Sequence, residues 1–316
     1  MNSNQSIRTS TQQQQKLILP NSLPQDLFNI FKNLVLFFCR RVIFAPPNTK
    51  IIIYFCMIFI GSVLKDFNLS PQTYLANKQN LLNSYFAKLG WGSTIMLLSL
   101  FVYLTSLIYT KGNYNLIMKH LLRLLIAIGV WYIITSLFQY IESVAGYCKH
   151  LKYSKSNRQI CLSSGYEWQE AYNLSDHTFL LIYLLLVVNE EVKSYDEGWK
   201  RLELLYEQNS GKVKQQQQNI GDISSSTKFD HIDSLRFRKL SLTIKCLYIS
   251  LALLTMLWEF MLLSTALYFH HIVHKLGAAL LAVIMWFITY RYWYKQRSAI
   301  SNPFTPCLPG DGLLAY

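Results

Sequence analysis

Charged side chains are scarce in this chain. They make up 15% of its 316 residues, whereas 52% of the residues are hydrophobic. Soluble domains usually carry nearer a quarter charged residues. Several apolar runs approach the length of about 20 residues that a helix needs to cross a bilayer. The composition therefore argues against an ordinary soluble enzyme and predicts an all-α, polytopic membrane protein.

Signals for secretion and for nucleic-acid binding are also missing. The first 20 residues lack the basic start and apolar core of a cleaved signal peptide, and their Gln-rich composition predicts a disordered tail. Acidic residues number only 17 against 30 basic ones, a net charge of +13. Because no basic and aromatic surface motif accompanies this charge, we interpret it as the basic flanks of membrane spans.

The apolar runs predict six transmembrane helices. A shorter segment at 27–39 carries Lys32 and is predicted to be an interfacial helix. The six predicted spans cover residues 49–64, 86–109, 121–140, 177–189, 244–269 and 276–294.

The spans imply three regions: a cytosolic tail over 1–48, a six-span membrane domain over 49–294 and a cytosolic tail over 295–316. A polar, variable cytosolic loop at 192–240, predicted to be mostly disordered, interrupts the membrane domain. Most Lys and Arg residues then fall on one side, which predicts that both termini are cytosolic. The loops expected in the lumen or outside are 65–85, 141–176 and 270–275.

Two cysteines share the long lumenal loop. An oxidising lumen would allow Cys148 and Cys161 to form a disulfide, and the alternative is two free thiols. Both readings remain open from the sequence.

One histidine opens an apolar run in the segment 173–191, "NLSDHTFLLIYLLLVVNEE". Ser175 is a candidate helix N-cap, so His177 would lie where free backbone N–H groups collect. Such a helix N-terminus attracts phosphate, and imidazole can donate or accept a proton near neutral pH. We interpret His177 as a candidate catalytic residue. The alternative is an interfacial histidine without chemistry.

A second histidine is expected at the same membrane depth. His270 ends the predicted fifth span in "STALYFHHIVHKLG". The spacing of His270 and His274 would place two zinc ligands on one helical face, but no Glu accompanies them as in the metalloprotease motif, so we predict no metal site. Glu259 lies about three turns earlier and is expected either to line a polar cavity or to pair with another buried polar group.

Four segments of the chain, taken in order, resemble the motifs of the fat-storage-inducing transmembrane protein family. The resemblance extends from about residue 50 to 294 and omits the variable loop. Its motifs are "SVLKDFNLSPQTYLANKQNLLNSYFAKLGW" (62–91), "WYIITSLFQYIESVAGYC" (131–148), the histidine segment 173–191 and "ALYFHHIVHKLGAALLAVIMWFITYRYWY" (266–294).

The resemblance implies an endoplasmic reticulum protein that supports lipid droplet formation. It also implies an acyl-coenzyme A diphosphatase, which splits the pyrophosphate of fatty acyl-coenzyme A into acyl 4′-phosphopantetheine and adenosine 3′,5′-bisphosphate. No cofactor is expected. The two catalytic histidines of the family match His177 and His270. By analogy with the related lipid phosphatases, the second would be the nucleophile and the first would assist the leaving group.

The negative charge of a pyrophosphate calls for basic partners. Lys78, Lys88 and Ser175 are the predicted phosphate-binding residues, and Lys275 is a further candidate. The chain departs from lipid phosphatases at Asp176, where they have Gly, because a carboxylate beside a phosphate is unfavourable unless it points away. The carboxylate that orients the nucleophilic histidine is unassigned, and Glu142 is one candidate.

A non-enzymatic function is the competing hypothesis. The same bundle could bind diacylglycerol or triacylglycerol and partition it into droplets without histidine chemistry. Fatty acyl-coenzyme A, these neutral lipids and the endoplasmic reticulum membrane are therefore the expected partners, and nucleic acid is not. A transporter is disfavoured because the sequence shows no inverted repeat or broken helix pair.

Overall fold

Long helices dominate the computed structural model of the chain. It describes residues 30, 33–35, 37–38, 41, 45–67, 87–148, 158–166, 168–169, 175–217, 225–269, 271–295 and 305–314. The long helices are α1 (Pro47–Asp66), α2 (Ala87–Tyr109), α3 (Tyr114–Ala145), α5 (Asp176–Gln217), α6 (Ser225–Tyr268) and α7 (Ile272–Trp286), which π-type turns extend over Phe287–Trp293. A short helix, α4 (Arg158–Ser163), lies between two antiparallel two-residue strands, β1 (Tyr147–Cys148) and β2 (Trp168–Gln169).

Five helical segments in the described part of the chain are long and apolar enough to cross a membrane. They correspond to five of the six predicted spans, so the all-α, polytopic membrane fold is confirmed. The five segments are Pro47–Asp66, Gly90–Tyr109, Tyr114–Glu142, Phe237–Tyr268 and Ile272–Trp293.

The predicted fourth span, 177–189, lies in α5 and is not among these five. Every residue from Leu181 to Val192 is buried, and α5 packs against α1, α2, α3, α6 and α7. A helix enclosed by protein on all sides does not need a long lipid-facing surface, and its apolar stretch can end early at Asn189. α5 is therefore the central helix, and the count of six spans is not confirmed.

The loop predicted at 192–240 is largely helical instead. α5 continues to Gln217, and α6 already begins at Ser225. Aromatic rings hold the two helices together here: the ring centroids of Phe237 lie 5.1 Å from Trp199 and 4.4 Å from Tyr206. The prediction of a mostly disordered loop was wrong because Gln, Lys, Glu and Leu favour helix and the aromatic side chains supply a buried stripe.

Contacts near the helix ends show which helices run parallel and which run antiparallel in the bundle. α3 and α5 run antiparallel, with Phe138 against Phe179 near one end and Arg123 paired with Glu191 near the other. α7 runs parallel to α5, because Tyr290 near its end donates to Glu191 at 2.8 Å. The start of α5, the end of α3 and the α6–α7 turn thus share one end, here called the histidine end. The opposite end, with Arg123 and Glu191, is called the arginine end.

Residues 305–314 pack on the arginine end. The Leu314 backbone N–H donates to the Tyr109 carbonyl at 3.0 Å, and Nε2 of His120 donates to the Asp311 carbonyl at 2.7 Å. Part of the segment predicted as a C-terminal tail, 295–316, therefore belongs to the folded bundle. The predicted interfacial helix at 27–39 lies mostly outside the described residues.

Candidate active site at the start of the central helix

Ser175 is the N-cap of α5, as predicted. Its Oγ accepts hydrogen bonds from the Thr178 backbone N–H at 3.3 Å and from the Thr178 hydroxyl at 2.8 Å. Its carbonyl accepts the first helical bond, from the Phe179 N–H at 3.1 Å. The fully buried Ser175 hydroxyl is thus committed to the helix start. A direct contact between Ser175 and a phosphate stays a prediction.

His177 is exposed in the first turn of α5, while Thr178 and Phe179 beside it are buried. Apart from the Thr178 N–H, which Ser175 caps, the first-turn backbone N–H groups have no acceptor within the helix, and they carry a partial positive charge. An anion bound there would lie beside an accessible imidazole. The apolar run that follows His177 is the buried centre of the bundle, so the ring stands where polar surroundings meet the core.

Asp176, next to His177, carries less charge than its sequence suggests. Burial and the nearby Glu142 carboxylate raise the pKa of Asp176 to about 6. A carboxyl group with this pKa still carries its charge in about nine of ten molecules at pH 7, so its repulsion of a phosphate is only slightly weakened there and falls further toward pH 6. Its Oδ1 is buried and has no hydrogen-bond partner among the described residues. The predicted orienting role of Glu142 toward a histidine stays a prediction.

A disulfide closes the loop next to this end of the bundle. The sulfur atoms of Cys148 and Cys161 are 1.96 Å apart, and their Cα atoms are 5.8 Å apart. The bond ties β1 to α4, and β1 pairs with β2 through Cys148 opposite Trp168. Of the two alternatives that the sequence leaves open, the structure contains the disulfide.

His270 lies outside the described residues, between Phe269 and His271. α6 ends at Tyr268 and α7 begins at Ile272 with His271 as its N-cap residue, so the turn that carries residue 270 is at the histidine end. This interruption removes the helical spacing on which a zinc pair at 270 and 274 would depend. Within the described residues, no group of three or more His, Cys, Asp or Glu side chains is placed to hold a metal.

Lys275 joins the two helices of this turn. Its side chain is fully buried, and its Nζ donates to the Ala266 carbonyl at 2.7 Å. In an uninterrupted helix that carbonyl would accept the N–H four residues further on. Lys275 therefore stabilises the end of α6 rather than facing a ligand. Lys78 and the side chain of Lys88 lie outside the described residues, so their phosphate-binding role stays a prediction.

Glu259 has two partners from α1. The Lys50 ammonium and the Tyr54 hydroxyl both donate to it, the latter at 3.0 Å. This confirms the second of the two predicted alternatives, in which Glu259 pairs with another buried polar group. The pair links α1 to α6 within the apolar part of the bundle.

The comparisons with known proteins identify the chain's relatives. The model of the family described as fat storage-inducing transmembrane protein matches residues 71–145 and 143–290. The chain belongs to this family. The matched residues include His177 and His270.

Curated members of the fat storage-inducing transmembrane protein family are similar over most of their length. The acyl-coenzyme A diphosphatase FITM2 of Drosophila melanogaster is 31% identical over 301 residues, which cover 94% of this chain and 69% of the relative. The Homo sapiens protein of the same name is 31% identical over 79% of this chain and 81% of its own length. The Danio rerio protein is 29% identical over 84% of this chain and 91% of its own length. No solved structure matches significantly.

The sequence did not predict one buried charged network in this member of the fat storage-inducing transmembrane protein family. Arg123 donates to Glu191 through Nε at 2.7 Å and Nη2 at 2.6 Å. Its Nη1 donates to the Cys307 carbonyl and to Nδ1 of His120, the latter at 2.8 Å. Arg291 also pairs with Glu190 at 2.7 Å. The available signal was an arginine inside a predicted span, which calls for a buried partner.

Proposed function

We propose that the chain is an endoplasmic reticulum acyl-coenzyme A diphosphatase whose active site lies at the histidine end and faces the lumen. In this proposal six spans cross the membrane between residues 49 and 294, and both termini are cytosolic. The observation that carries the proposal is the exposed His177 in the capped first turn of α5, in a chain whose curated relatives are named for this activity.

The bundle suits a substrate that is part lipid and part nucleotide. The acyl chain of the substrate remains in the bilayer, and the pyrophosphate reaches the helix N-terminus at the membrane boundary. There the first-turn N–H groups of α5 bind a phosphate oxygen, since a helix N-terminus favours negative charge. The raised pKa of Asp176, about 6, reduces the repulsion of that phosphate slightly at pH 7 and more as the pH falls toward 6.

The chemical step assigns different roles to two histidines. His270 attacks one phosphorus of the pyrophosphate, and the bond from that phosphorus to the bridging oxygen breaks. His177 protonates the departing phosphate oxygen. Water then hydrolyses the phosphohistidine and restores His270. The products are acyl 4′-phosphopantetheine and adenosine 3′,5′-bisphosphate. The buried Lys275, bonded to the Ala266 carbonyl, holds the α6–α7 turn from which the nucleophile acts.

Two further features support the placement of the site. A disulfide persists in an oxidising compartment, so the Cys148–Cys161 bond supports a lumenal position for the histidine end. Lys78 and Lys88 are assigned to the phosphates because they precede or begin α2, which enters the bundle from this end. Diacylglycerol and triacylglycerol are proposed as further partners, consistent with the many apolar side chains on the outer helix faces.

The test is turnover of oleoyl-coenzyme A by purified protein, with the products identified by mass. We expect His177→Ala and His270→Ala each to lower the rate by about 100-fold or more, since acid–base catalysis contributes about 10²–10⁴-fold. The double variant should be little worse than the worse single one, because residues that act as a unit are not additive.

His271→Ala is the matched control, because this exposed histidine lies in the same turn and should lose much less activity. Near-normal turnover in His270→Ala, with the protein correctly inserted, would rule out the diphosphatase mechanism. Partition of neutral lipid would then be the better hypothesis, and it predicts that the histidine variants bind diacylglycerol as the wild type does.

A further inference from the structure

A polar cavity opens at the arginine end. Its volume is about 1260 Å³, and it lies between the segment that contains Phe37 and Arg41, the start of α1, and the parts of α5 and α6 beyond the apolar bundle. Asp196 on its wall is 19 residues from His177 along α5, which corresponds to about 28 Å of helix. The cavity is therefore separate from the candidate active site.

The charges around this cavity are not all neutralised within the protein. Two of its lysines have carboxylate partners: Lys193 lies 3.3 Å from Glu197, and Lys245 lies 2.9 Å from Glu203. The remaining acidic residue, Asp196, accepts a hydrogen bond from the Tyr248 hydroxyl at 3.4 Å. Lys200 and Arg41 also line the cavity, and neither forms an ion pair with any described residue. These two cations stand against the single carboxylate of Asp196, so the lining keeps a surplus of positive charge for an anionic ligand.

The cavity lies at the boundary between apolar and polar parts of the molecule. The Asn189 side-chain amide donates to the Ala45 carbonyl at 3.0 Å, which fixes the start of α1 at the level where the apolar stretch of α5 ends. Phe37, Pro46 and Pro47 are apolar members of the same lining as the charged residues of α5. A basic face beside an apolar wall suits a phospholipid, which carries its phosphate next to an apolar glyceride.

We propose that this cavity binds the headgroup of an anionic phospholipid from the membrane leaflet at the arginine end. Lys200 and Arg41 contact the phosphate, and Phe37 and Pro46 contact the glycerol and the first carbons of the acyl chains. A soluble phosphate ester would meet the same two cations but would leave the apolar wall uncovered. The site makes no use of His177 or His270, so binding and turnover are separable.

The test uses full-length protein in phosphatidylcholine nanodiscs that contain a photoactivatable phosphatidylglycerol. Crosslinked peptides are identified by mass, and unlabelled phosphatidylglycerol or soluble coenzyme A is added as competitor. The variant is Lys200→Gln with Arg41→Gln. The matched control is Arg201→Gln with Lys239→Gln, two exposed cations at the same end that do not line the cavity.

Wild-type crosslinks should map to residues 193–203 or to Phe37, Arg41 and Pro46, and unlabelled phosphatidylglycerol should displace them, with the control variant behaving alike. Each lost cation should raise the half-saturating mole fraction about fivefold. If the control variant bound phosphatidylglycerol as weakly as the cavity variant, the binding would reflect general attraction between a basic surface and anionic lipid, and the proposal would be overturned. Displacement by coenzyme A but not by phosphatidylglycerol, or displaceable crosslinks that map only to residues outside the cavity lining, would also overturn it. His177→Ala, which should lose acyl-coenzyme A turnover, should still bind phosphatidylglycerol as the wild type does.

Discussion

Arg123→Leu should be among the most destabilising single substitutions in the bundle. The side chains of Arg123 and Glu191 are 2% and 0% exposed, and two hydrogen bonds of 2.7 and 2.6 Å join them. Removal of the arginine leaves a buried carboxylate whose remaining donor among the described residues is the Tyr290 hydroxyl, and leaves the Cys307 carbonyl without its guanidinium donor. Breaking a buried ion pair from one side costs about 3–5 kcal/mol.

The measurement is thermal unfolding of the purified protein in detergent, followed by intrinsic fluorescence. A loss of this size lowers Tm by on the order of 10 °C in a chain of several hundred residues. Lys193→Leu provides the matched control, because its pair with Glu197 spans 3.3 Å with side chains 35% and 47% exposed. Such an exposed pair contributes about 0.3–0.5 kcal/mol, so the control should shift Tm by only about 1 °C.

A double variant separates the lost charge from the lost volume. Arg123→Leu combined with Glu191→Leu removes both charges and should be more stable than Arg123→Leu alone, because no unpaired carboxylate remains. If Arg123→Leu melts within a degree or two of the Lys193→Leu control, the reasoning is refuted. It also fails if the two substitutions of the double variant add, since additivity would mean that the residues are not coupled.

Three further predictions concern other parts of the molecule. Asp176 keeps its proton to about pH 6 in the folded protein but only to a lower pH in the unfolded protein, so its ionisation lowers the stability of the folded state as pH rises through this window. In thermal melts, the fall in Tm between pH 4 and pH 7 should therefore be smaller for Asp176→Asn than for the wild type. Gly312→Ala should lower Tm, because a Cβ there would lie 2.7 Å from the Tyr109 carbonyl oxygen, whereas Gly129→Ala meets nothing within 4 Å and should not. Deletion of residues 211–227, at the tip of the α5–α6 hairpin, should leave turnover largely intact, and a large loss in well-folded protein would contradict this.

The sequence predicts the local features of this protein better than its long-range contacts. Five spans follow from apolar runs, and the Ser175 cap follows from a residue type beside such a run, so each needs only neighbouring residues. The Arg123–Glu191 pair joins positions 68 residues apart, and neither local composition nor periodicity specifies which buried charge meets which. Glu259 shows the same limit, since the need for a partner was predictable but Lys50 was not.

The candidate site divides in the same way. The exposure of His177 in the first turn agrees with its place before an apolar run, and the raised pKa of Asp176 required knowledge that Glu142 approaches from another helix. The α5–α6 hairpin was misjudged for a different reason. Its Gln-rich tip resembles a disordered segment in composition, while Tyr195, Trp199 and Leu202 at helical spacing already indicated a buried face.

The packing of residues 305–314 has a consequence for the order of events during synthesis. The carbonyl of Cys307 that accepts a hydrogen bond from Arg123 follows it by 184 residues, and Glu191 follows it by 68. At about 5–20 residues per second, the guanidinium waits about 3–14 s for its counter-ion and about 10–40 s for the carbonyl. Arg123 therefore enters the membrane long before its acceptors exist. A messenger that stops shortly after α7 would encode all the long helices described above and still leave this charge incompletely bonded, a ready target for quality control.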